Sequence, residues 1–412
     1  MREAFKQRRV SCPCRTDRFA DVLSTIVVMK RFDVQVLGAG IVGQCLALSL
    51  ARLGLQVALS PDTARPPGID DVRAYALNAA SVALLTGLKV WNSLPANSVT
   101  PVLDMHVQGD AGGSAIDFSA WQQRVSALAW ITDAAVLERE LAAAVRFAPH
   151  ITVIDAASNS GGDVESVQAR AEVQAPLIAL CEGKFSSARA ALGVQFERLD
   201  YEHHAIAARL TTPQAHQGIA RQWFRSPDVL ALLPFDTPQP QHSLALVWSM
   251  PDERARELLA LDAGAFEAQL MHATNGEAGE LTLASARSAW PLMQAQASDW
   301  SGPGWVLLGD AAHVVHPLAG QGLNLGLADV AALCKVIADR EPWRELGDEK
   351  LLRRYARERV APTWAMGQVT DGLMRLFSHE APGLRELRNR GLTLVNQLSP
   401  LKRWLASQAL KS

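Results

Sequence analysis

The stretch WVLLGDAAHVVHPLAGQGLNLGLAD, residues 305–329, decides the fold. It begins with four apolar residues, Trp305–Leu308, of the kind that fills a buried strand. Gly309 and Asp310 then place a carboxylate at the end of that strand, before a glycine-rich turn and a helical pattern. Asp310 can accept hydrogen bonds from hydroxyl groups, and the first N–H groups of the helix attract partial negative charge. The stretch therefore predicts a place that holds a polar ligand.

A second strand–turn–helix unit lies near the start of the chain. A strand pattern ends at Leu37 and runs into the turn GAGIVG, which contains Gly38, Gly40 and Gly43 and precedes a helical pattern. In this context Gly38 makes the tight turn, Gly40 lets the backbone approach a pyrophosphate, and Gly43 lets helix and strand pack closely. The alternative interpretation is a glycine-rich turn that only packs.

The residues after this unit depart from the usual dinucleotide pattern. Ser60 stands where an acid should end the next strand and bind the hydroxyl groups of a ribose, and Asp62 could substitute for it from the loop. The sequence therefore supports pyrophosphate binding better than ribose binding. Arg73 follows a Pro-Pro-Gly loop at the point where a phosphate would be reached, and a charge on a surface helix is the alternative.

A third unit begins with the apolar strand pattern at 175–181. It ends in Glu182-Gly183, and a polar turn with Ser186 and Arg189 leads into a helix. Three separated units of this kind are far more specific together than any one of them alone. They predict one extended dinucleotide that bridges two of the turns.

Composition narrows the class of protein. The chain has 412 residues, which favours about two domains, and 49% of them are hydrophobic, as in a globular protein. Forty basic and 42 acidic residues give a formal net charge of −2, so the charge does not favour nucleic acid as a partner. No apolar stretch approaches the roughly eighteen residues of a membrane span. Five scattered cysteines without metal-ligand spacing indicate a reduced cytoplasmic compartment and no metal site.

The order of these motifs resembles the single-component FAD-dependent aromatic hydroxylases. The resemblance rests on GAGIVG, DVRAYAL, the acid-Gly turn and GDAAH, at 38–43, 71–77, 182–189 and 309–313. The run HPLAGQGLNLGLAD at 316–329 is similar to the ubiquinone-biosynthesis branch of that family. So are Leu233-Pro234 before a β-run with Trp248, and Trp290-Pro291-Leu292 before the last strand of the nucleotide-binding fold.

The resemblance also implies which residues bind the cofactor. Asp310 would bind the ribityl chain of FAD, and the backbone from Gly320 to Asn324 would face the pyrimidine end of its ring. Pro317 would lie close to both substrate and flavin. Glu182 stands where the family has aspartate. The implied cofactor-binding residues are Gly38, Gly40, Gly43, Arg73, Glu182, Gly183, Gly309, Asp310, Gly320, Gln321, Gly322, Leu323 and Asn324.

No catalytic side chain is assigned from the sequence. His313 and His316 lie within the motif, but we interpret them as turn and packing residues. The chemistry would belong mainly to FAD, with NAD(P)H as its reductant.

The implied fold class is α/β. We expect a Rossmann-like FAD-binding domain at 29–195 and 285–345, with an inserted, mostly antiparallel β substrate domain at 196–284. Residues 346–412 form the predicted C-terminal helical region. We interpret residues 1–28 as a disordered extension or as the product of an upstream start.

The C-terminal region carries many basic residues. Solvated helix faces explain most of them, and contact with a membrane surface or a protein partner is the minority interpretation. These residues are Arg353, Arg354, Arg357, Arg359, Arg385, Arg388, Arg390, Lys402 and Arg403.

The resemblance implies a monooxygenase that hydroxylates a polyprenyl-phenol or quinol intermediate of ubiquinone biosynthesis through a flavin C4a-hydroperoxide. Its partners would be a hydrophobic aromatic substrate and O₂, with peripheral contact to the inner membrane or to a biosynthetic complex. One alternative is a hydroxylase of a small soluble aromatic compound, and another is an FAD-binding scaffold without catalytic activity. The ring position, the electron donor and the oligomeric state stay open.

Overall fold

The computed structural model describes residues 30–61, 71–109, 115–154, 173–315 and 321–378. The predictions for residues 1–28, Asp62, His316, Pro317, Gly320 and the C-terminal basic residues from 385 onward lie outside these ranges. The helices of the described ranges are Ile41–Arg52, Ala79–Gly87, Ala120–Gln123, Ala134–Phe147, Ser187–Ala191, Asp252–Ala260, Ala263–Ala273, Gln321–Ala338 and Glu349–Ser378.

A parallel sheet carries the three predicted strand–turn–helix units. All neighbouring strands in this sheet run parallel, except that Ser301–Gly302 pairs antiparallel with Trp305–Leu307. Its order is Ser301–Gly302, Trp305–Leu307, Leu177–Leu180, Val34–Leu37, Val57–Ser60 and Ile151–Val153.

The register of this sheet brings the three predicted turns together. Leu180 pairs with Leu37 on one side and with Leu307 on the other. The turns that begin at Gly38, at Cys181 and at Leu308 therefore leave the same edge of the sheet. This edge, formed by the carboxyl ends of parallel strands, is where open α/β folds bind ligands.

Helix Gln321–Ala338 lies in the core behind this edge. Its buried residues recur at helical spacing, and they include Leu325, Val330, Leu333 and Ile337. By length and composition the helix could cross a membrane, with a mean hydropathy of 1.3, so the expectation that no apolar stretch approaches a membrane span is wrong by these two criteria. Most of it is buried against the rest of the protein, as in the core helix of a folded domain.

A second, mostly antiparallel sheet confirms the predicted β-rich region. Only Ile219–Arg225 and Asp104–Gln108 pair in parallel. Its order is His313–Val314, Ser288–Ala297, Phe196–Thr211, Ser243–Pro251, Asp228–Phe235, Ile219–Arg225, Asp104–Gln108 and Ala115–Ser119, and Thr282–Leu283 also pairs with Phe196–Thr211.

One face of this mixed sheet packs on the helices Asp252–Ala260 and Ala263–Ala273. Trp248 and Phe266 are fully buried there, with ring centroids 6.0 Å apart. The strands at 104–108 and 115–119 join this sheet, although they lie in sequence within the predicted first part of the FAD-binding domain.

The opposite face of the mixed sheet packs against a three-stranded antiparallel sheet. An apolar layer fills the space between the two sheets, with Phe235, Ala245 and Ile131 buried in it. The predicted α/β class is thus confirmed, with a parallel sheet and a mostly antiparallel one. The three-stranded sheet has the order Ala74–Leu77, Ala129–Asp133 and Val99–Val102, and a further parallel pair joins Lys30–Arg31 to Val173–Gln174.

Candidate functional site

The glycines of the first turn are required by close packing. Gly38 has φ +98°, and a Cβ there would lie 2.4 Å from the carbonyl oxygen of Cys181. A Cβ on Gly43 would lie 1.9 Å from the carbonyl oxygen of Gly38. Residues with side chains would therefore push apart the first helix and two strands of the parallel sheet.

Gly40 differs from these two because the space around it is open. A Cβ on Gly40 would meet nothing within 4 Å, and its φ of −72° is available to any residue. Gly40 caps helix Ile41–Arg52 without a side-chain hydrogen bond, so the N–H groups of the first helical turn face outward. An open approach to free N–H groups fits a pyrophosphate.

Asp310 lies in a short 3-10 turn, Gly309–Ala311, at the same edge of the sheet. Its side chain is reachable by solvent, and among the described residues its carboxylate has no hydrogen-bond partner. Protein nevertheless surrounds the carboxyl group closely, and this desolvation raises its pKa, while His313, Lys184 and Arg73 act in the opposite direction. The carboxylate is therefore free to accept hydroxyl groups from a ligand.

Arg73 lies within electrostatic reach of Asp310, but its guanidinium is already engaged. Its Nε and Nη2 atoms donate to the two carboxylate oxygens of Asp71 at 2.8 Å and 2.6 Å. This pair raises the pKa of Arg73. The positive charge of Arg73 is therefore held beside the site in an ion pair with Asp71.

The Glu182 carboxylate binds the start of the adjacent short helix, Ser187–Ala191. Its Oε2 atom accepts hydrogen bonds from the Ser186 hydroxyl at 2.5 Å and from the Ala188 N–H at 3.2 Å. The extra methylene relative to aspartate brings the carboxylate to this helix start. Gly183, with φ +80°, makes the turn between them.

Arg189 joins the acid-Gly turn to the Asp310 turn. Its Nη1 atom donates to the Ala311 carbonyl at 2.8 Å and its Nη2 atom to the Lys184 carbonyl at 3.0 Å, while its guanidinium lies 3.5 Å from the centre of the Phe196 ring. Two of the three turns are therefore held together by one side chain.

Asn324 holds the core helix in place through its side chain. Its Oδ1 atom accepts from the Asn78 N–H at 3.0 Å and from the Ser81 hydroxyl at 2.7 Å, and its Nδ2 atom donates to the Ala76 carbonyl at 2.8 Å. These bonds leave the backbone, rather than the side chain, as the part of this residue available to a cofactor. Gln321 is also buried and accepts from Asn324 Nδ2.

The neighbouring residues of the same helix contribute backbone and packing. Within the described part of the chain a Cβ on Gly322 would meet nothing within 4 Å, and Leu323 is half-buried against the main core. The helix start is thus open at Gly322.

Sequence reasoning missed a buried charge cluster beneath these turns. Asp329 accepts hydrogen bonds from His313, from the Gly309 N–H and from Arg359. Arg359 was interpreted as part of a solvated face, but its side chain is only 12% exposed because it reaches inward to Asp329. No motif marks it, since its partner lies 30 residues away.

His313 is a buried packing residue, as the sequence predicted. Its ring stacks on Trp300, with centroids 4.8 Å apart and an angle of 21°. The arrangement fits FAD: open N–H groups at one turn and an unpaired carboxylate at another, on one edge of one sheet. Among the described residues no group of His, Cys, Asp and Glu could hold a metal ion.

A separate cavity of about 520 Å³ lies elsewhere on the parallel sheet. Its lining includes Gln35, Ile178 and Trp305, which lie at or next to the first residue of their strands, and Arg31, which precedes the strand Val34–Leu37. It is therefore not the space beside Asp310.

Comparison with known proteins agrees with this geometry. A family described as "FAD binding domain" matches residues 31–370. The chain is 29% identical to 3-demethoxyubiquinol 3-hydroxylase of Escherichia coli, covering 92% of this chain and 97% of that protein. It is also 29% identical to the ubiquinone hydroxylase UbiL of Rhodospirillum rubrum, over 92% and 90% of the two chains.

A solved structure supports the fold. The crystal structure of PqsL, a probable FAD-dependent monooxygenase from Pseudomonas aeruginosa, superposes with a TM-score of 0.69 at 20% identity and covers 88% of this chain and 100% of its own. At that identity the likeness concerns the fold alone.

Alanine substitutions at Gly43 and at Gly40 should have different effects on stability and on FAD binding. We expect Gly43→Ala to lower the free energy of unfolding of the apoprotein by more than about 1 kcal/mol, because its methyl group meets the Gly38 carbonyl. Gly40→Ala should leave that free energy within about 0.5 kcal/mol and weaken FAD binding, because its methyl group occupies the pyrophosphate approach. Urea unfolding and fluorescence titration with FAD measure the two quantities.

A matched control is Gly87→Ala at the end of an exposed helix, where a Cβ meets nothing within 4 Å. It should change neither quantity. Unchanged FAD affinity in Gly40→Ala would contradict the assignment of this turn to the pyrophosphate.

Asp310→Asn should weaken FAD binding by roughly 10- to 100-fold, since a hydrogen bond to a charged acceptor contributes about 1.5–3 kcal/mol. Titration of the apoprotein with FAD provides the dissociation constant. Asp299→Asn, at an exposed position whose carboxylate contacts Ser298, is the control. Equal affinities in both variants would remove Asp310 from the cofactor site.

Proposed function

This chain belongs to the FAD-binding monooxygenase family, and we propose that it hydroxylates the aromatic ring of a polyprenyl phenol or quinol on the route to ubiquinone. The single observation that carries the proposal is the apolar layer between the mixed sheet and the three-stranded sheet. The similarity to ubiquinone hydroxylases gives it independent support.

The apolar layer starts at the candidate cofactor residues. Ala74 follows Arg73 directly, and the carbonyl of Ala76 is the acceptor for Asn324. From there the layer continues over side chains that are only half-buried, so they keep surface for a ligand. These side chains are Ala74, Ala76, Met105, Leu128, Ala129 and Leu233. Such a surface suits an aromatic ring with an apolar tail.

The residues of the chain would orient the ring and keep water away from it. Bound and reduced FAD supplies the activation of O₂ that a hydroxylation requires. The N-terminal turn of helix Gln321–Ala338, with Gly322 half-buried, would stabilise negative charge on the flavin edge. Because the substrate is a lipid, we also propose that the protein works in the cytoplasm in peripheral contact with the inner membrane.

One observation favours a second candidate, a hydroxylase of a small aromatic acid. Arg209 projects from the mixed sheet into this region and lies 3.9 Å from the centre of the Phe235 ring. Its Nη2 atom donates to the Arg73 carbonyl at 2.8 Å and contacts Asp133 at 3.3 Å, but its buried Nη1 atom has no hydrogen-bond partner among the residues that the structure describes. An arginine of this kind can bind a carboxylate.

The two candidates differ in the substrate that stimulates turnover. We expect a short-chain polyprenylphenol, but not 4-hydroxybenzoate, to accelerate oxidation of the reductant by the FAD-loaded protein, with a hydroxylated product detected by mass spectrometry. Stimulation by 4-hydroxybenzoate alone would favour the small-acid hydroxylase. Stimulation by neither compound would contradict both candidates.

We further propose NAD(P)H as the reductant, on the basis of a cationic surface beside Asp310. Lys184 Nζ lies 5.2 Å and Arg198 Cζ 5.7 Å from the centre of the Phe185 ring, which is 67% exposed. Among the described residues neither cation has a carboxylate within salt-bridge distance. Two unpaired positive charges around an exposed ring suit a molecule with phosphates and a flat aromatic group.

Lys184→Gln combined with Arg198→Gln should raise KM for NAD(P)H about tenfold or more, with kcat at saturation nearly unchanged. The reason is that these side chains lie at the surface and contribute binding rather than chemistry. Steady-state kinetics with polyprenylphenol present measures both constants. Arg353→Gln, which removes an exposed ion pair with Glu349, is the control. An unchanged KM in the double variant would rule out this surface as the docking site.

A further inference from the structure

The carboxylate of Asp329 is a buried hub beneath the cofactor turns. It is fully inaccessible to solvent, and its Oδ2 atom accepts from the Gly309 N–H at 3.0 Å and from His313 Nε2 at 2.7 Å. Its Oδ1 atom accepts from Arg359 Nε at 2.7 Å. Burial raises the pKa of Asp329, but His313 and Arg359 outweigh it, so the net pKa is lowered and the group stays ionised.

The hub joins parts of the chain that are far apart in sequence. Asp329 belongs to the core helix, Gly309 to the turn that carries Asp310, and Arg359 to the long C-terminal helix. Arg359 also donates through Nη2 to the Leu325 carbonyl at 3.3 Å. On the same C-terminal helix, Tyr355 donates its hydroxyl to the Leu307 carbonyl at 2.8 Å, two residues before the turn.

The Gly309–Ala311 turn, whose Gly309 N–H donates to Asp329, has little conformational freedom. Gly309 has φ +58°, and a Cβ there would lie 3.2 Å from a methyl group of Val42 on the helix of the first glycine turn. Gly326 of the core helix packs against the same residues, because a Cβ there would lie 2.8 Å from the same Val42 methyl group and 3.4 Å from Gly309 Cα. Packing thus limits where the turn can lie, and the Gly309–Asp329 bond adds a directional constraint on how its peptide is oriented.

We propose that Asp329 and Arg359 are positioning residues for the cofactor. Asp329 orients the peptide at Gly309 and so directs the adjacent Asp310 carboxylate toward the cofactor hydroxyl groups. Arg359 binds Oδ1 and so fixes the rotamer of Asp329, and together with His313 it keeps the carboxylate ionised. Without Arg359, the buried carboxylate would lose one of its two side-chain partners and keep only His313, which is costly in a site that excludes water. This inference rests on the proposed assignment of Asp310 to FAD.

The test is the affinity of the apoprotein for FAD in matched variants. We expect Arg359→Gln to raise the dissociation constant about tenfold, because glutamine cannot supply the charge that orients Asp329. Arg359→Lys should keep most of the affinity, since lysine retains a cationic donor for Oδ1. Arg353→Gln, on the same helix with its exposed partner Glu349, should bind FAD like the unaltered chain.

Urea unfolding of each apoprotein separates positioning from stability alone. All titrations are made where more than about 99% of each variant is folded, so a purely structural role would lower the free energy of unfolding without changing the FAD dissociation constant. That result in Arg359→Gln would overturn the proposal. If Arg359→Gln does not fold, Arg359→Lys provides the test. The visible circular dichroism of its bound flavin should match that of the unaltered holoprotein. A changed spectrum would contradict the proposal that a cationic donor at this position positions the cofactor.

Asp310→Asn in the same titration distinguishes the two levels of the argument. Weaker FAD binding in both Asp310→Asn and Arg359→Gln supports the proposal. Weaker binding in Asp310→Asn alone would refute positioning by Arg359 but keep Asp310 in the site. Unchanged binding in Asp310→Asn would refute the assignment of Asp310 itself.

Discussion

The contact between Gly43 and the carbonyl of Gly38 is the constraint on which the rest of the structure depends. It brings the first helix onto the end of its strand, and Gly38 in turn lies against the carbonyl of Cys181 on the neighbouring strand. Because Leu180 also pairs with Leu307, the third turn leaves the sheet at the same level. A ligand that reaches one turn is therefore within reach of the other two.

Most of this architecture could be predicted from the sequence, because local patterns encode it. The apolar runs end where the strands end, and the glycines at 38 and 43 stand where backbone contact forbids a side chain. The roles of Asn324 and Arg359 could not be predicted in the same way. Their partners, Ser81 and Asp329, lie 243 and 30 residues away, and no spacing rule connects them.

The acid-Gly motif predicts the position of Glu182 in the turn but not the partners of its carboxylate. The motif predicts an acid before a glycine, and the structure has it there, yet the carboxylate bonds to Ser186 and Ala188 of its own turn. The longer side chain lets it satisfy the start of a short helix. Asp310 lacks such partners among the described residues, and desolvation raises its pKa although His313, Lys184 and Arg73 act in the opposite direction. Of these two acids, Asp310 is the one that remains available to a ligand.

The apolar layer suits a phenol with an apolar tail, whereas Arg209 suits a small aromatic acid. The cost of desolvating a charged substrate favours the phenol. Burial lowers the pKa of Arg209, so its charge is already costly to hold, and Asp133 compensates part of that cost. A substrate carboxylate would have to leave water and share this guanidinium with Asp133, which already contacts its Nη2 atom. A neutral phenol with an apolar tail loses no charge hydration when it enters, and it gains contact with half-buried side chains such as Leu128 and Leu233. The balance of these terms favours the lipid-like aromatic substrate.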